Sequence, residues 1–306
     1  MSVQAQPSDR EQIARRLLRS SAKASFDPLV EIDWDAPIDP DRYAIRPERI
    51  SIYGTELWDQ LSEEQRKELS RQEVASVASI GIWFETILMQ MLVRHAYDRD
   101  PTSEHIQYAY TEIGDECRHS VMFAKMIKRL GAGHQRLDPL THFLGKVFKT
   151  TSTGSLTFSG ALFVEEILDQ LQREMMSDES LEPLVRAVAR IHVVEEARHM
   201  RYAREEFARQ WRGKNALARA YTQLVLGLVI YYATTRLIHP RCYEAVGLDP
   251  RAARKAAERN PYWRQTKTWA ARKVVATLDQ AGAISGPGAR LWRKAGLLEP
   301  DSATPA

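Results

Sequence analysis

The chain has 306 residues, 44% of them hydrophobic and 27% charged, which is enough apolar material for a large buried core and excludes a disordered or fibrous protein. Its formal net charge of +3 is spread with basic residues among acidic ones, so there is no basic stripe for nucleic acid and no bias towards an acidic substrate. Two cysteines, Cys117 and Cys242, exclude a disulfide framework and fit a reducing cytoplasm.

In chain order, Met1 to Ser20 is polar and lacks the apolar core of a signal peptide. Asp27-Pro28, Ala36-Pro37, Asp39-Pro40 and Arg46-Pro47 follow. Prolines at that spacing forbid long helices and predict an extended arm over residues 1–50, wrapped on the domain. Ser62-Glu63-Glu64-Gln65 reads as a capping box opening a helix that runs to Tyr97, central where it is almost all apolar from Val77 to Val93. Asp100-Pro101 ends it, and a second helix is predicted over Glu104–Leu130, stopping at Gly131-Ala132-Gly133. A linker with Pro139 and a Thr/Ser/Gly-rich patch leads to a third helix over Ser155–Met176. Ser177-Asp178 is read as the cap of a fourth over Leu181–Trp211. The apolar run Leu224 to Ala233 is too short to span a bilayer and is read as part of a buried helix over Ala216–Ile238. The basic tail holds one more helix, near Trp263–Ala281, whose aromatic residues are expected to pack on the rest. The domain reading is an arm over 1–50, a helical bundle over 51–245 and an extension over 246–306 packed on it.

Two segments repeat one arrangement. Glu85 precedes Glu116-Cys117-Arg118-His119 by 31 positions, and Glu165 precedes Glu196-Ala197-Arg198-His199 by the same 31. Residues three apart share a helix face, so each Glu-x-x-His aims a carboxylate and an imidazole at one point. Chance placement gives about 0.6 such pairs in this composition, and a single pair would read as a solvated helix face. The matched upstream glutamates decide the matter. Both sit in apolar stretches, Ile80 to Phe84 and Ala161 to Val164, where an unpaired carboxylate is costly to bury and a metal removes the cost. The set predicts a carboxylate-bridged dinuclear site inside an all-α, ferritin-like four-helix bundle core with additional helices, the 131–154 linker being its crossover. Four carboxylates and two or more imidazoles suit iron, with manganese the alternative, and four negative charges balance two divalent ions.

His192 lies four residues before Glu196 and seven before His199, on the same helix face. By position it is either a further ligand or a core histidine bonded to a carboxylate. Glu166 and Glu195 flank ligands and could either bond to them or face solvent. Arg118 and Arg198 either orient carboxylates or make surface pairs. Cys117 reads as a small buried hydrophobe rather than a ligand.

The pattern resembles the AurF-type di-iron oxygenases, the p-aminobenzoate N-oxygenase family, over residues 50–245. Glu85, Glu116, His119, Glu165, His192, Glu196 and His199 match the family's ligand positions and none departs. The resemblance implies that His192 is a third histidine ligand and that two iron ions activate O2 to N-oxygenate an aryl amine. Electrons must come from an external reductase or ferredoxin, because no Gly-rich dinucleotide fingerprint follows a strand. A homodimer is compatible with this reading, and no membrane or nucleic-acid partner is expected. Two other readings compete. A radical-generating subunit resembling that of ribonucleotide reductase would place a tyrosine about one turn after His119, where this chain has Phe123. Chains resembling ferritin, which store iron, are shorter and lack the third histidine.

Overall fold

A computed structural model describes residues 7–298, and no strand occurs among them. Residues 1–6 of the expected arm and 299–306 of the expected extension lie outside the described residues. In chain order the helices are α1 Pro7–Lys23, α2 Pro28–Glu31, α3 Glu56–Asp59, α4 Glu63–Tyr97, α5 Glu104–Arg129, α6 Pro139–Thr151 and α7 Ser155–Ser177. They continue with α8 Pro183–Arg212, α9 Ala216–Thr235, α10 Arg241–Glu244, α11 Pro250–Arg259, α12 Pro261–Gln280 and α13 Gly286–Ala295. α4 pairs with α5, and α7 with α8, to make the four-helix core, and the crossover carries α6.

α4 starts where its capping box predicts. The Ser62 hydroxyl accepts from the Gln65 backbone N–H, and the Gln65 side chain accepts from the Ser62 N–H. α7 is buried along nearly its whole length because α8, α9 and α12 all pack against it. α13 docks on α9 through two glycines: a Cβ on Gly227 would come within 2.8 Å of the Gly288 carbonyl oxygen, so larger residues cannot bring the backbones this close.

Several expectations need correction. The first 50 residues are not all extended, since α1 is a 17-residue helix lying on α5 and α8; the prolines that forbid helix all come after it. α8 is capped by Glu182, with Pro183 in its first turn, and not by Asp178. α9 is only half buried: Leu226 and Ile230 face inward, while Leu217, Tyr221, Leu224 and Leu228 are exposed. α4 and α9 are each long and apolar enough to cross a membrane by length and composition, and α4 uses that apolarity as a core helix. Of the tail aromatics Trp263 and Trp292 are buried, whereas Tyr262 is exposed.

Candidate metal centre

The four core helices deliver the predicted donors to one place. α4 contributes Glu85, α5 contributes Glu116 and His119, α7 contributes Glu165, and α8 contributes His192, Glu196 and His199. All seven are at most 3% exposed. Donor atoms of Glu116, His119, Glu196 and His199 lie within 4.8 Å of one another, as do those of Glu85, Glu116 and Glu165, of Glu165, His192 and Glu196, and of Glu85, His119 and His192. Every one of these residues except His199 belongs to two of the groups, so the four groups form one continuous cluster.

The histidines are oriented from behind. His119 Nε2 is 2.8 Å from Glu195 Oε2, and His199 Nε2 is 3.1 Å from Asp115 Oδ2. A carboxylate can only accept, so each Nε2 carries a proton, and each Nδ1 faces inward, where its lone pair would be available to a metal once its own proton is released. Those Nδ1 atoms meet the inner carboxylates: His119 lies 3.0 Å from Glu116 and 3.1 Å from Glu196, and His199 3.0 Å from both. His192 uses its other nitrogen. Its Nδ1–H donates to Gln172 Oε1 at 2.6 Å, leaving Nε2 bare at 3.5 Å from Glu85 and 3.6 Å from Glu196.

Electrostatics separate the groups. Burial, reinforced by the charges of its neighbours Glu116 and Glu196, pushes Glu85 well above the usual carboxylate range; burial, Glu196 and Glu85 do the same to Glu165. Burial also acts upward on Glu116, but His199 and His119 outweigh it and hold the carboxyl down to about 2. Burial acts downward on His119 and His199, yet the surrounding carboxylates raise both well above the ordinary imidazole range. His192 has weaker partners, and burial takes it down to about 4, so it is neutral with a free lone pair at neutral pH.

The residues fit a pair of metal ions. Glu85 Oε2, Glu165 Oε2, Glu196 Oε2 and His192 Nε2 are all buried without a hydrogen-bond partner among the described residues. One such atom is costly in a folded protein, and four within one cluster are explained by cations. The donor set suits iron, with manganese the alternative.

Outside the donors, Arg118 pairs with Asp115, and Arg198 lies 3.5 Å from Asp115 and 3.8 Å from Glu195. The segment after α1 closes over this layer: Phe26 N–H donates to Glu195, Arg198 to the Ala24 carbonyl and Arg118 to Ser25. The open question over the flanking glutamates resolves two ways: Glu195 holds His119, whereas Glu166 turns away to pair with Arg204. Cys117 is exposed rather than buried, with its Sγ 3.3 Å from Met89 Sδ. Asp115, Gln172 and the buried Glu112 escape the spacing argument.

The AurF model, described as p-aminobenzoate N-oxygenase, matches residues 7–282. The chain belongs to the AurF family. Its AurF-family match extends from α1 through α12, beyond the core that carries the motif. An uncharacterized protein of Mycobacterium bovis and one of Mycobacterium tuberculosis are each 28% identical over 233 residues, spanning 73% of this chain and 68% of theirs. A second M. tuberculosis protein is 31% identical over 198 residues, 62% of this chain and 58% of its own length. Among solved structures, a mutant R2-like ligand-binding oxidase with an anaerobically reconstituted Mn/Fe cofactor superposes with a TM-score of 0.50 at 14% identity, covering 93% of this chain and 96% of its own. That likeness shows a shared ferritin-like helical fold, and family membership places the cluster in a di-metal oxidase.

A cavity of about 50 Å³ adjoins the AurF-family cluster. Gly81, Phe123 and Gln172 line its inner end, and the Phe123 ring lies 4.9 Å from that of His192.

Proposed function

We propose that the protein is a non-haem di-iron monooxygenase that N-oxygenates a small aryl amine, drawing electrons from an external reductase or ferredoxin. Glu85, Glu116, His119, Glu165, His192, Glu196 and His199 would hold the two ions. The observation that carries the reading is His192: a third buried imidazole, fixed by Gln172 so that its lone pair faces the other donors. The bound metals would supply the electron-rich centre at which O2 is reduced.

The chain's own contribution is orientation and exclusion. Glu195 and Asp115 hold the Nε2–H of His119 and His199, and Gln172 holds the Nδ1–H of His192, so the opposite nitrogen of each ring already faces the other donors. Phe123 and the Val188 and Ala189 wall keep the approach apolar, which excludes bulk water from the reacting amine. In the overall reaction one oxygen atom enters an N–H bond to give a hydroxylamine. The other leaves as water, consuming two electrons and two protons from the donor and solvent.

Metal-replete protein is expected to contain about two iron or manganese ions per chain. His192→Ala leaves six donors, so it should fold and keep both metals while losing most amine oxygenation. Elemental analysis combined with product detection checks both points. One zinc per chain, or a His192→Ala protein with wild-type turnover, would sink the assignment.

A further inference from the structure

Apolar surface is concentrated on one face of the protein. Among the described residues, seven of the 15 exposed large hydrophobic side chains lie on α6 and α9. On α6 they are Leu140, Phe143 and Val147, and on α9 Leu217, Tyr221, Leu224 and Leu228. Spacings of three and four put each set on one side of its helix. The two helices face one another across a groove of about 370 Å³. Leu140 and Val147 line it from α6, Tyr221 and Leu228 from α9, and the buried Ile87 of α4 closes it beneath, so both stripes belong to one surface.

The charge of these helices has one sign. No residue of α6, α9 or α13, which docks on α9, is Asp or Glu, although the chain has 40 acidic residues. Their charged residues are Lys146, Lys149, Arg219, Arg290, Arg293 and Lys294. Lys146 is exposed, one turn from Phe143. Lys149 donates to the Gln90 side chain and Arg219 to the Trp211 and Arg212 carbonyls, neutral acceptors that leave both charges uncancelled. Asp138, the cap of α6, is paired with Arg236 at 2.9 Å. The overall charge of +3, from which no membrane partner is expected, conceals this asymmetry because the acids lie on other elements.

A second copy of the chain does not complement such a face. A twofold contact would set the same helices together, cation against cation, with no acid on them to answer. An anionic membrane surface does complement it, because apolar side chains enter the acyl region while Lys and Arg stay at the phosphates. α9 is long and apolar enough to cross a bilayer, but its Leu226 and Ile230 side is buried in the protein and Gly227 is pressed on α13, so it can only lie along the interface. We propose that the α6–α9 face seats the protein on an anionic membrane, with Phe143, Leu217, Tyr221 and Leu224 among the acyl chains and Lys146 at the headgroups. The proposal stands apart from the N-oxygenase reading, since none of these residues is a metal donor.

The test mixes metal-loaded full-length protein with vesicles of phosphatidylcholine alone or of equal parts phosphatidylcholine and phosphatidylglycerol, and measures binding by cosedimentation. Binding to the mixed vesicles should be at least about tenfold tighter than to the neutral ones and should loosen as salt is raised. Phe143→Ser and Leu217→Ser, at positions 59% and 81% exposed, should each weaken it about tenfold. Lys146→Glu should weaken it on mixed vesicles by at least about tenfold. Val30→Ser, 80% exposed on α2, should bind like wild type. Metal content and melting temperature should be unchanged in all four variants, because every position is exposed. No binding to the mixed vesicles, equal binding to both kinds, or wild-type affinity in the three α6 and α9 variants would overturn the proposal. A soluble dimer that Phe143→Ser and Leu217→Ser dissolve, without vesicle binding, would overturn it in favour of a second copy.

Discussion

Glu73 is the buried carboxyl for which pH has the clearest consequence. It lies 12 positions before Glu85, facing Ser51 and Tyr243 rather than the metal donors, and burial pushes its pKa up to about 7 against the opposing hydrogen bonds from Ser51. A carboxyl whose folded pKa exceeds its unfolded value holds its proton more tightly when folded. Its stabilising contribution is therefore complete below about 4.5 and lost as pH rises to about 7. The loss amounts to about 3 kcal/mol. Glu73→Gln cannot ionise, so the stability of that variant relative to wild type should improve by about this amount between pH 5 and pH 8. Urea unfolding of both proteins across that range measures the difference, and a constant difference would show that Glu73 ionises freely in the fold.

At this same scale the proposed donors are legible in the sequence and their supports are not. Glu116 with His119, and Glu196 with His199, stand out through their spacing along single helices, Glu85 and Glu165 through the matched offset of 31 positions, and His192 through the family resemblance. Asp115 and Glu195 act across the bundle, each on the histidine of the other helix, and such contacts leave no periodic trace. A signal existed all the same: an acid precedes each motif, so Asp115-Glu116-Cys117-Arg118-His119 and Glu195-Glu196-Ala197-Arg198-His199 agree in kind at four of five positions. Gln172 has no such counterpart, because its bond to His192 joins α7 to α8.

Among the elements, those opened by local chemistry were legible and those set by tertiary contact were not. The Ser62 box marks the start of α4, and the glycines after Leu130 mark the end of α5. α1 and α6 were missed because nearby prolines and a Thr/Ser/Gly patch drew the reading towards loop, although Asp138 caps α6 with Pro139 at its first position. α9 was read as buried because apolar content does not say whether a partner covers every face. The capping box carries its own expectation. Ser62→Ala removes the acceptor for the Gln65 N–H and should cost about 1 kcal/mol in chemical denaturation, with metal content unchanged because Glu85 lies some six turns away. A metal-depleted Ser62→Ala protein would mean that the entry of α4 governs the centre directly.

For the whole molecule, the cluster joins four helices whose inner faces would otherwise repel. Glu85, Glu116, Glu165 and Glu196 converge at the bundle centre, and without cations Glu85 and Glu165 are pushed towards protonation while His119 and His199 are drawn towards charge. Metal binds the folded arrangement and not the unfolded chain, so it adds about 4 kcal/mol when free metal exceeds its dissociation constant about a thousandfold. Chelation should therefore lower the melting temperature, and the loosening should be uneven. α4, α5, α7 and α8 carry the donors, whereas α9 and α13 are joined through the Gly227 and Gly288 contact, which needs no metal. Hydrogen exchange on the metal-free protein should show lost protection around Glu85, Glu116, Glu165 and Glu196, with α9 and α13 keeping more of theirs. Uniform loss across all helices would show that the bundle and its covering helices open as one unit. An unchanged melting temperature after verified metal removal would show that protonation alone satisfies the buried carboxylates, and that the centre is not what holds the four helices together.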